Sequence, residues 1–303
     1  MPQRFEQAVR ALPQRLRAAA LALPETVRAR AEEIRLRAGQ ELTVCAPQPH
    51  TAAVAVTADE LAKTLEGVSH GSLHTVLDAL RHGFVTLAGG HRLGVCGSAA
   101  VRDGAVAHIR DVSSLCIRVA REKKGVADKL LPSLLDAGKL PNTLIISPPG
   151  AGKTTLLRDL VRSVSDGGTR VAAADERGEI AACFGGVPQL DVGRNTDVMS
   201  YVPKAEAAMM MLRGMAPQVL ALDEITAPED AAVLAACTGC GVSVLSTAHA
   251  ANADDLRRRP VYRGLLESFD RLVVISGTGP SRKYDILEVR EPCLPQSALF
   301  VSS

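Results

Sequence analysis

The sequence predicts an α/β protein whose second half is a mostly parallel sheet and whose first half is a smaller α+β domain. From residue 143 onward, apolar runs of strand length at 143–146, 170–174, 218–222, 242–246 and 271–275 alternate with helical patterns. That alternation belongs to a parallel sheet covered on both faces. Before residue 122 the runs are shorter, alternate in polarity and are joined by glycine turns, as in an antiparallel sheet with helices packed against it. The charged break Arg121-Glu122-Lys123-Lys124-Gly125 separates the two patterns, which sets the domains at 1–122 and 123–303.

In the first half, residues 1–22 read as a helix interrupted near Pro13 and closed by Pro24, with Phe5, Val9, Leu12 and Leu16 at helical spacing. Residues 33–39 alternate charged and apolar side chains, as a half-exposed strand does, and Leu42-Thr43-Val44 follows as a second strand. Thr57-Ala58-Asp59-Glu60 has the form of a capping box and opens a helix through about Leu65; Ser72 opens another that ends near Gly83. Next come a hairpin over 84–95 around Gly89-Gly90, a second from Ser98 to His108 around Asp103-Gly104, and a last strand over 115–120.

The second half opens on the stretch that carries the chemistry. Leu144-Ile145-Ile146 runs into Ser147-Pro148-Pro149-Gly150-Ala151-Gly152-Lys153-Thr154-Thr155, and a helical pattern begins at Leu156. A buried strand, a glycine-containing loop and a helix start are what a phosphate-cradling loop requires, because glycine lets backbone N–H groups close on phosphate oxygens at the positive end of the helix dipole. Lys153 then reaches the β- and γ-phosphates of ATP, and Thr154 places its hydroxyl on Mg²⁺. Ser147 stands where such loops usually begin with glycine, which a serine can do if the turn demands no positive φ.

Three further groups end predicted strands in this half, where ligands of such sheets bind. Asp223-Glu224 follows Val219-Leu220-Ala221-Leu222: Asp223 is placed to orient Mg²⁺ or its waters, and Glu224 to polarise the attacking water. Asp175-Glu176-Arg177-Gly178-Glu179 follows a second strand; one of its carboxylates, with Asp175 the candidate, shares in water activation, or the segment is a charged loop paired to Arg177. Thr247 and His249 end a third, positioned to hydrogen-bond the γ-phosphate or the water and to report which nucleotide is bound. Arg213, on the methionine-rich helix before Asp223, is a candidate for the developing phosphate charge, in cis or from a neighbouring subunit; Arg92, Arg110 and Arg118 are candidate phosphate clamps from the first domain.

Composition excludes several alternatives. Aromatic residues make up 3% of the chain, tryptophan is absent and the net charge is +2, which argues against a nucleic-acid binder that needs stacking platforms and a basic footprint. Seven scattered cysteines, with Cys237-Thr238-Gly239-Cys240 a lone pair of the C-x-x-C type, read as reduced intracellular usage without a zinc site. With neither a signal-peptide pattern nor a run of 18 apolar residues, the expected location is the cytoplasm, peripheral to a membrane through another protein and without direct insertion.

Taken together, Ile34-Arg35-Leu36-Arg37-Ala38-Gly39, Gly90-His91-Arg92-Leu93-Gly94, Arg110-Asp111-Val112-Ser113-Ser114, the loop at 147–155, Asp175-Glu176-Arg177-Gly178-Glu179-Ile180, Pro203-Lys204-Ala205-Glu206 through Arg213, and Asp223-Glu224 with Thr247-Ala248-His249 resemble the stage III sporulation protein AA family, which is similar to the type II/IV secretion ATPases. The resemblance covers nearly the whole chain. It implies a RecA-like P-loop ATPase domain behind the N-terminal domain, a homo-hexameric ring, and nucleotide between the domains with Arg92 and Arg118 contacting phosphate. It further implies a motor in the mother cell of an endospore-forming bacterium, powering a channel complex at the forespore membrane with that complex's membrane proteins as partners. Where the secretion ATPases commonly carry glycine before the glutamate that aligns with Glu224, this chain has Asp223. Two other functions share the same core: a nucleic-acid-dependent motor, and a nucleotide-gated scaffold with little turnover.

Overall fold

The computed structural model describes residues 2–69, 83–102, 105–226, 229–259, 262, 264–277, 279–289, 301 and 302. The helix expected from Ser72, the turn at Asp103-Gly104 and Cys293 lie outside these. The chain divides into two compact units, one of Met1–Arg121 with Ala182–Gln189, the other of Glu122–Ala181 with Leu190–Ser303.

The first unit is built on a six-stranded antiparallel sheet of strands β1 (Glu33–Arg37), β2 (Glu41–Ala46), β3 (Gln48–Ala55), β4 (Val85–Thr86), β5 (Arg92–Arg102) and β6 (Ala105–Arg118), in the order β3-β2-β1-β6-β5-β4. Alternation in β1 sends Ile34 and Leu36 into the core and leaves Glu33, Arg35 and Arg37 on the other face. Helices Pro2–Ala8, Gln14–Leu21 and Glu25–Arg30 and the helix Ala58–Ser69 supply the rest; Phe5, Val9, Leu12, Leu16 and Leu61 join Leu42, Val44, Leu93, Leu115 and Ile117 in one buried cluster. Pro24 begins the helix Glu25–Arg30 as its N-cap residue, so it starts an element as well as standing beyond one. The capping box closes reciprocally: the Thr57 N–H donates to Glu60 Oε2 (3.0 Å) and the Glu60 N–H to Thr57 Oγ1 (3.2 Å).

Two differences from expectation have local causes. The separate hairpins and last strand merge into two long strands, β5 and β6, whose register shifts between Cys96 and Ser98. Gly97 sits in that bulge, and a Cβ there would come within 2.7 Å of the Arg110 carbonyl oxygen. Strand β3 is an edge strand that carries Pro49, which a central strand would not tolerate.

The second unit holds strands β7 (Thr143–Ser147), β8 (Val171–Asp175), β9 (Thr196–Ser200), β10 (Val219–Leu222), β11 (Ser243–His249), β12 (Arg271–Ser276), β13 (Lys283–Glu288) and β14 (Val301–Ser302). They form one sheet in the order β14-β13-β12-β7-β11-β10-β8-β9, parallel from β12 to β9 and antiparallel beyond. Every residue of β7, β8 and β10 is buried, which is why these strands are continuous apolar runs. Helices Lys153–Asp166, Lys204–Gly214, Glu229–Gly239 and Ala253–Arg258 join them. Among the described residues no helix is long and apolar enough to cross a membrane.

Candidate functional site

The parallel strands β7, β11, β10 and β8 are neighbours, and the polar residues at their carboxyl ends therefore converge. Ser147 ends β7 fully buried and without positive φ; its hydroxyl donates to the Pro148 carbonyl (2.8 Å). The left-handed conformations fall instead on Gly150 (φ +75°) and Gly152 (φ +101°), the second being the N-cap residue of the helix Lys153–Asp166. A Cβ on Gly152 would lie 3.0 Å from the guanidinium of Arg282. Pro148, Pro149 and Gly150 are exposed, Ala151 is buried, and Thr154 and Thr155 are half-buried in the first turn of the helix, where the N–H groups lack intrahelical partners.

Lys153 is buried, and its ammonium donates to the carbonyls of Ser147 (3.1 Å) and Pro148 (3.3 Å) and to Nδ1 of His249 (2.8 Å). A lysine ammonium can only donate, so His249 Nδ1 accepts and its proton sits on Nε2, which faces Glu224 Oε1 at 3.3 Å. Glu224 Oε2 is 3.6 Å from the Arg177 guanidinium. Lys153, His249, Glu224 and Arg177 thus form one chain of contacts across four strand ends. Burial lowers the pKa of Lys153, against the pull of Glu224 and Asp223.

Asp223 Oδ1 accepts from Thr247 Oγ1 (3.0 Å) and from the Glu224 N–H (3.1 Å). Burial, then the charge of Glu179, pushes its carboxyl up to about 6, against the Thr247 hydrogen bond, with Asp175 adding to the rise. Asp175 itself, expected to assist in activating water, is fully buried and committed elsewhere. Its Oδ1 accepts from the N–H groups of Glu179 (2.7 Å) and Ile180 (2.9 Å), and Oδ2 from that of Ala181 (2.8 Å). With both oxygens used to pin a backbone turn, Asp175 anchors the segment after β8, and the pairing of Arg177 is to Glu224.

The turn after β10 is gripped from several sides. Glu224 has φ +26°, a strained value for a residue with a side chain. The Ile225 N–H donates to the Thr247 carbonyl (2.8 Å), Tyr262 donates to the Ile225 carbonyl (2.8 Å), and Lys204 Nζ donates to the Glu224 carbonyl. Sequence reading assigned no role to Lys204, Tyr262 or Arg282. Lys204 alone carried a signal, since a lysine in the first turn of a helix opposes the helix dipole.

A profile of the family described as "Sporulation stage III, protein AA" matches residues 3–291. The chain belongs to the stage III sporulation protein AA family. It is 41% identical over 266 residues to Stage III sporulation protein AA of Bacillus subtilis (strain 168), covering 84% of this chain and 86% of that protein. Among solved structures it resembles the Legionella pneumophila ATPase DotB (TM-score 0.58, 16% identity, 86% of this chain and 78% of that one) and the pilus retraction motor PilT crystallised with ADP (0.61, 17%, 87% and 81%). At those identities the likeness establishes the fold, that of P-loop ATPases.

The motifs that first suggested the stage III sporulation protein AA family have separate structural duties in the first unit. His91 is fully buried; its Nδ1 accepts from the Ala120 N–H (3.0 Å), and burial, aided by Arg4, pushes its pKa down to about 4. Arg92 lies over the Phe84 ring, 4.6 Å from its centre, and pairs in register with Arg118, whose guanidinium is 3.7 Å from Glu33 and largely exposed. Arg110 is exposed on β6. In the second unit Arg213 is exposed in the last turn of its helix and takes no part in the Lys153–His249–Glu224 contacts. Cys237 is a buried thiol whose pKa burial, with Cys240 beside it, pushes up to about 12. Among the described residues no three His, Cys, Asp or Glu side chains are arranged to hold a metal ion.

Proposed function

We propose that this family member is a Mg²⁺-dependent ATP hydrolase of the secretion-motor type, powering a channel complex during endospore formation. The observation that carries the reading is the chain Lys153 Nζ–His249–Glu224, because it joins the phosphate-loop lysine to a carboxylate through a neutral imidazole. The contacts on Lys153 are carbonyls and a ring nitrogen, which phosphate oxygens replace at gain. Once Lys153 turns to the phosphates, Nδ1 of His249 is free to take a proton, and the imidazolium donates from Nδ1 to the γ-phosphate while Nε2–H stays on Glu224, so bound triphosphate is registered at the base. Glu224 orients the attacking water and takes its proton.

The loop suits a polyphosphate: Gly150 and Gly152 supply the left-handed turns and Arg282 adds a cation beside Gly152. Mg²⁺, when bound, neutralises charge between the phosphates. Thr154 and Asp223 would hold it, and the fit rests on Asp223, whose carboxyl is pushed up by burial and neighbouring acids and so gains from a cation.

Residues 1–122 form the N-terminal α+β domain of the motor and 123–303 its RecA-like ATPase domain. Copies assemble as a homo-hexameric ring in which Arg92, Arg118 and Arg213 complete phosphate contacts. The ring works in the mother-cell cytoplasm and reaches the membrane only through the membrane proteins of its complex.

The test compares wild type, Glu224→Gln and Lys153→Ala for phosphate release and for binding of a fluorescent ATP analogue. The expected result is ATP binding within about threefold of wild type and kcat lower by about 10²-fold or more in Glu224→Gln, and loss of binding in Lys153→Ala. Hydrolysis by Glu224→Gln at the wild-type rate refutes the reading. Tight binding without turnover in the wild type replaces the motor by a nucleotide-gated scaffold, and stimulation by DNA or RNA with steep salt dependence replaces it by a nucleic-acid motor.

A further inference from the structure

The helix Lys204–Gly214 opens on a lysine, with Pro203 as its N-cap residue. A cation there meets the positive end of the helix dipole, so its own helix gives it no reason to stay. What holds it lies across the cleft. Nζ donates to the backbone carbonyl of Glu224, lies 3.1 Å from Asp230 Oδ2 and 3.4 Å from Thr226 Oγ1. The Lys204 side chain is 11% exposed and that of Asp230 2%. Asp230 Oδ2 in turn accepts from the Thr226 N–H (2.9 Å), so one carboxylate fixes both the lysine and the far end of the turn. These residues, with Arg177, Asp223 and Glu224, line a cleft of about 330 Å³.

We infer that Lys204 is a positioning residue: its ammonium holds the Glu224 carbonyl in the orientation that the strained backbone requires, and so aims the Glu224 carboxylate at His249. The inference rests on the proposed role of Glu224 as the base. The physical argument concerns the peptide after Glu224. A residue with a side chain relaxes readily from φ +26° to negative φ unless its neighbours forbid it. The Glu224 carbonyl shares one planar peptide with the Ile225 N–H, which donates to the Thr247 carbonyl; the charge-assisted hydrogen bond from Lys204 grips the opposite edge of that plane, so the two together stop it tilting about the single contact on its N–H. Lysine suits the task because its compact ammonium serves Glu224, Asp230 and Thr226 at once. Without Nζ the turn relaxes, the carboxylate swings from His249 Nε2, and the attacking water loses its acceptor while the phosphate loop keeps its shape.

The experiment uses the full chain as wild type, Lys204→Met, Lys204→Arg and the double variant Lys204→Met/Asp230→Asn, measuring kcat, KM for ATP, affinity for a fluorescent ATP analogue and the thermal midpoint. Lys204→Met should lower kcat by about 10²-fold with KM and nucleotide affinity within about twofold of wild type, since a base displaced by an ångström costs that much. Lys204→Arg should recover part of the lost kcat. The double variant, which removes the buried charge that Lys204→Met leaves on Asp230, should regain thermal stability without regaining kcat. Recovery of kcat along with stability in the double variant overturns the inference, because Lys204 would then merely neutralise Asp230. So does an unchanged kcat in Lys204→Met beside an active wild type, which leaves the hydrolase reading standing. A wild type without turnover refutes that reading itself, and the positioning role with it.

Discussion

Replacing Asp175 by asparagine is expected to loosen the second unit while leaving its chemistry largely in place. The carboxylate accepts three backbone N–H groups, two on Oδ1 and one on Oδ2, in a fully buried setting. Asparagine keeps one oxygen for Glu179 and Ile180 and turns an NH₂ group toward the Ala181 N–H. That exchange removes one charge-assisted hydrogen bond, worth about 1.5–3 kcal/mol, and leaves buried donors facing each other at a further cost of about 1–3 kcal/mol. A loss of about 3–5 kcal/mol lowers the midpoint of a unit of this size by roughly 10 °C. Far-UV circular dichroism is the suitable probe, since the chain has no tryptophan. At temperatures where the variant stays folded, kcat should remain within about tenfold of wild type, as expected of an anchor and not of a base. An Asp175→Asn variant that melts with the wild type yet loses about 10²-fold or more in kcat refutes the reasoning and restores the water-activating role.

Asp223, raised to about 6 by burial and nearby acids, prefers the neutral form in the folded chain, so its ionisation costs stability as pH rises from about 4 through 6. Asp223→Asn should therefore stabilise the nucleotide-free, metal-free protein by about 3 kcal/mol at pH 8 and by little at pH 4, read from paired thermal melts; an equal shift at both pH values contradicts the assignment. Gly152→Ala forces a side chain into φ +101° and against the Arg282 guanidinium, and should cost about 1–3 kcal/mol in urea unfolding and weaken ATP-analogue binding at least about tenfold. Unchanged binding would show that the loop does not cradle phosphate through that turn.

The legible parts of the fold were those in which local chemistry and burial agree. Strands β7, β8 and β10 could be read because both faces are covered and their central positions are apolar throughout. Strand β9, half-exposed over Thr196–Ser200, and β13, an antiparallel addition beyond β12, have no such run and were passed over. In the first unit β3 escaped notice for a related reason: an edge strand with Pro49 and partly exposed small residues lacks the usual signal. The grouping of Ala182–Gln189 with the first unit was equally invisible, because the Gln189 side chain that accepts the Gly89 N–H lies a hundred residues away in the chain.

By itself the sequence determined the glycine loop between β7 and its helix, the acidic pair after β10 and the polar ends of β8 and β11, since strand, glycine and helix-start signals are local and the carboxyl ends of parallel strands gather without further instruction. Only the tertiary structure decided what each polar group does there. The same Asp-after-strand pattern yields a turn anchor at Asp175 and a burdened carboxyl at Asp223, because backbone N–H groups surround the first while burial and neighbouring acids act on the second. Lys204 and Glu224 stand 20 residues apart, and only the packing of a helix against the end of β10 brings the ammonium to the carbonyl; such contacts arise from three-dimensional arrangement and leave no periodicity to read.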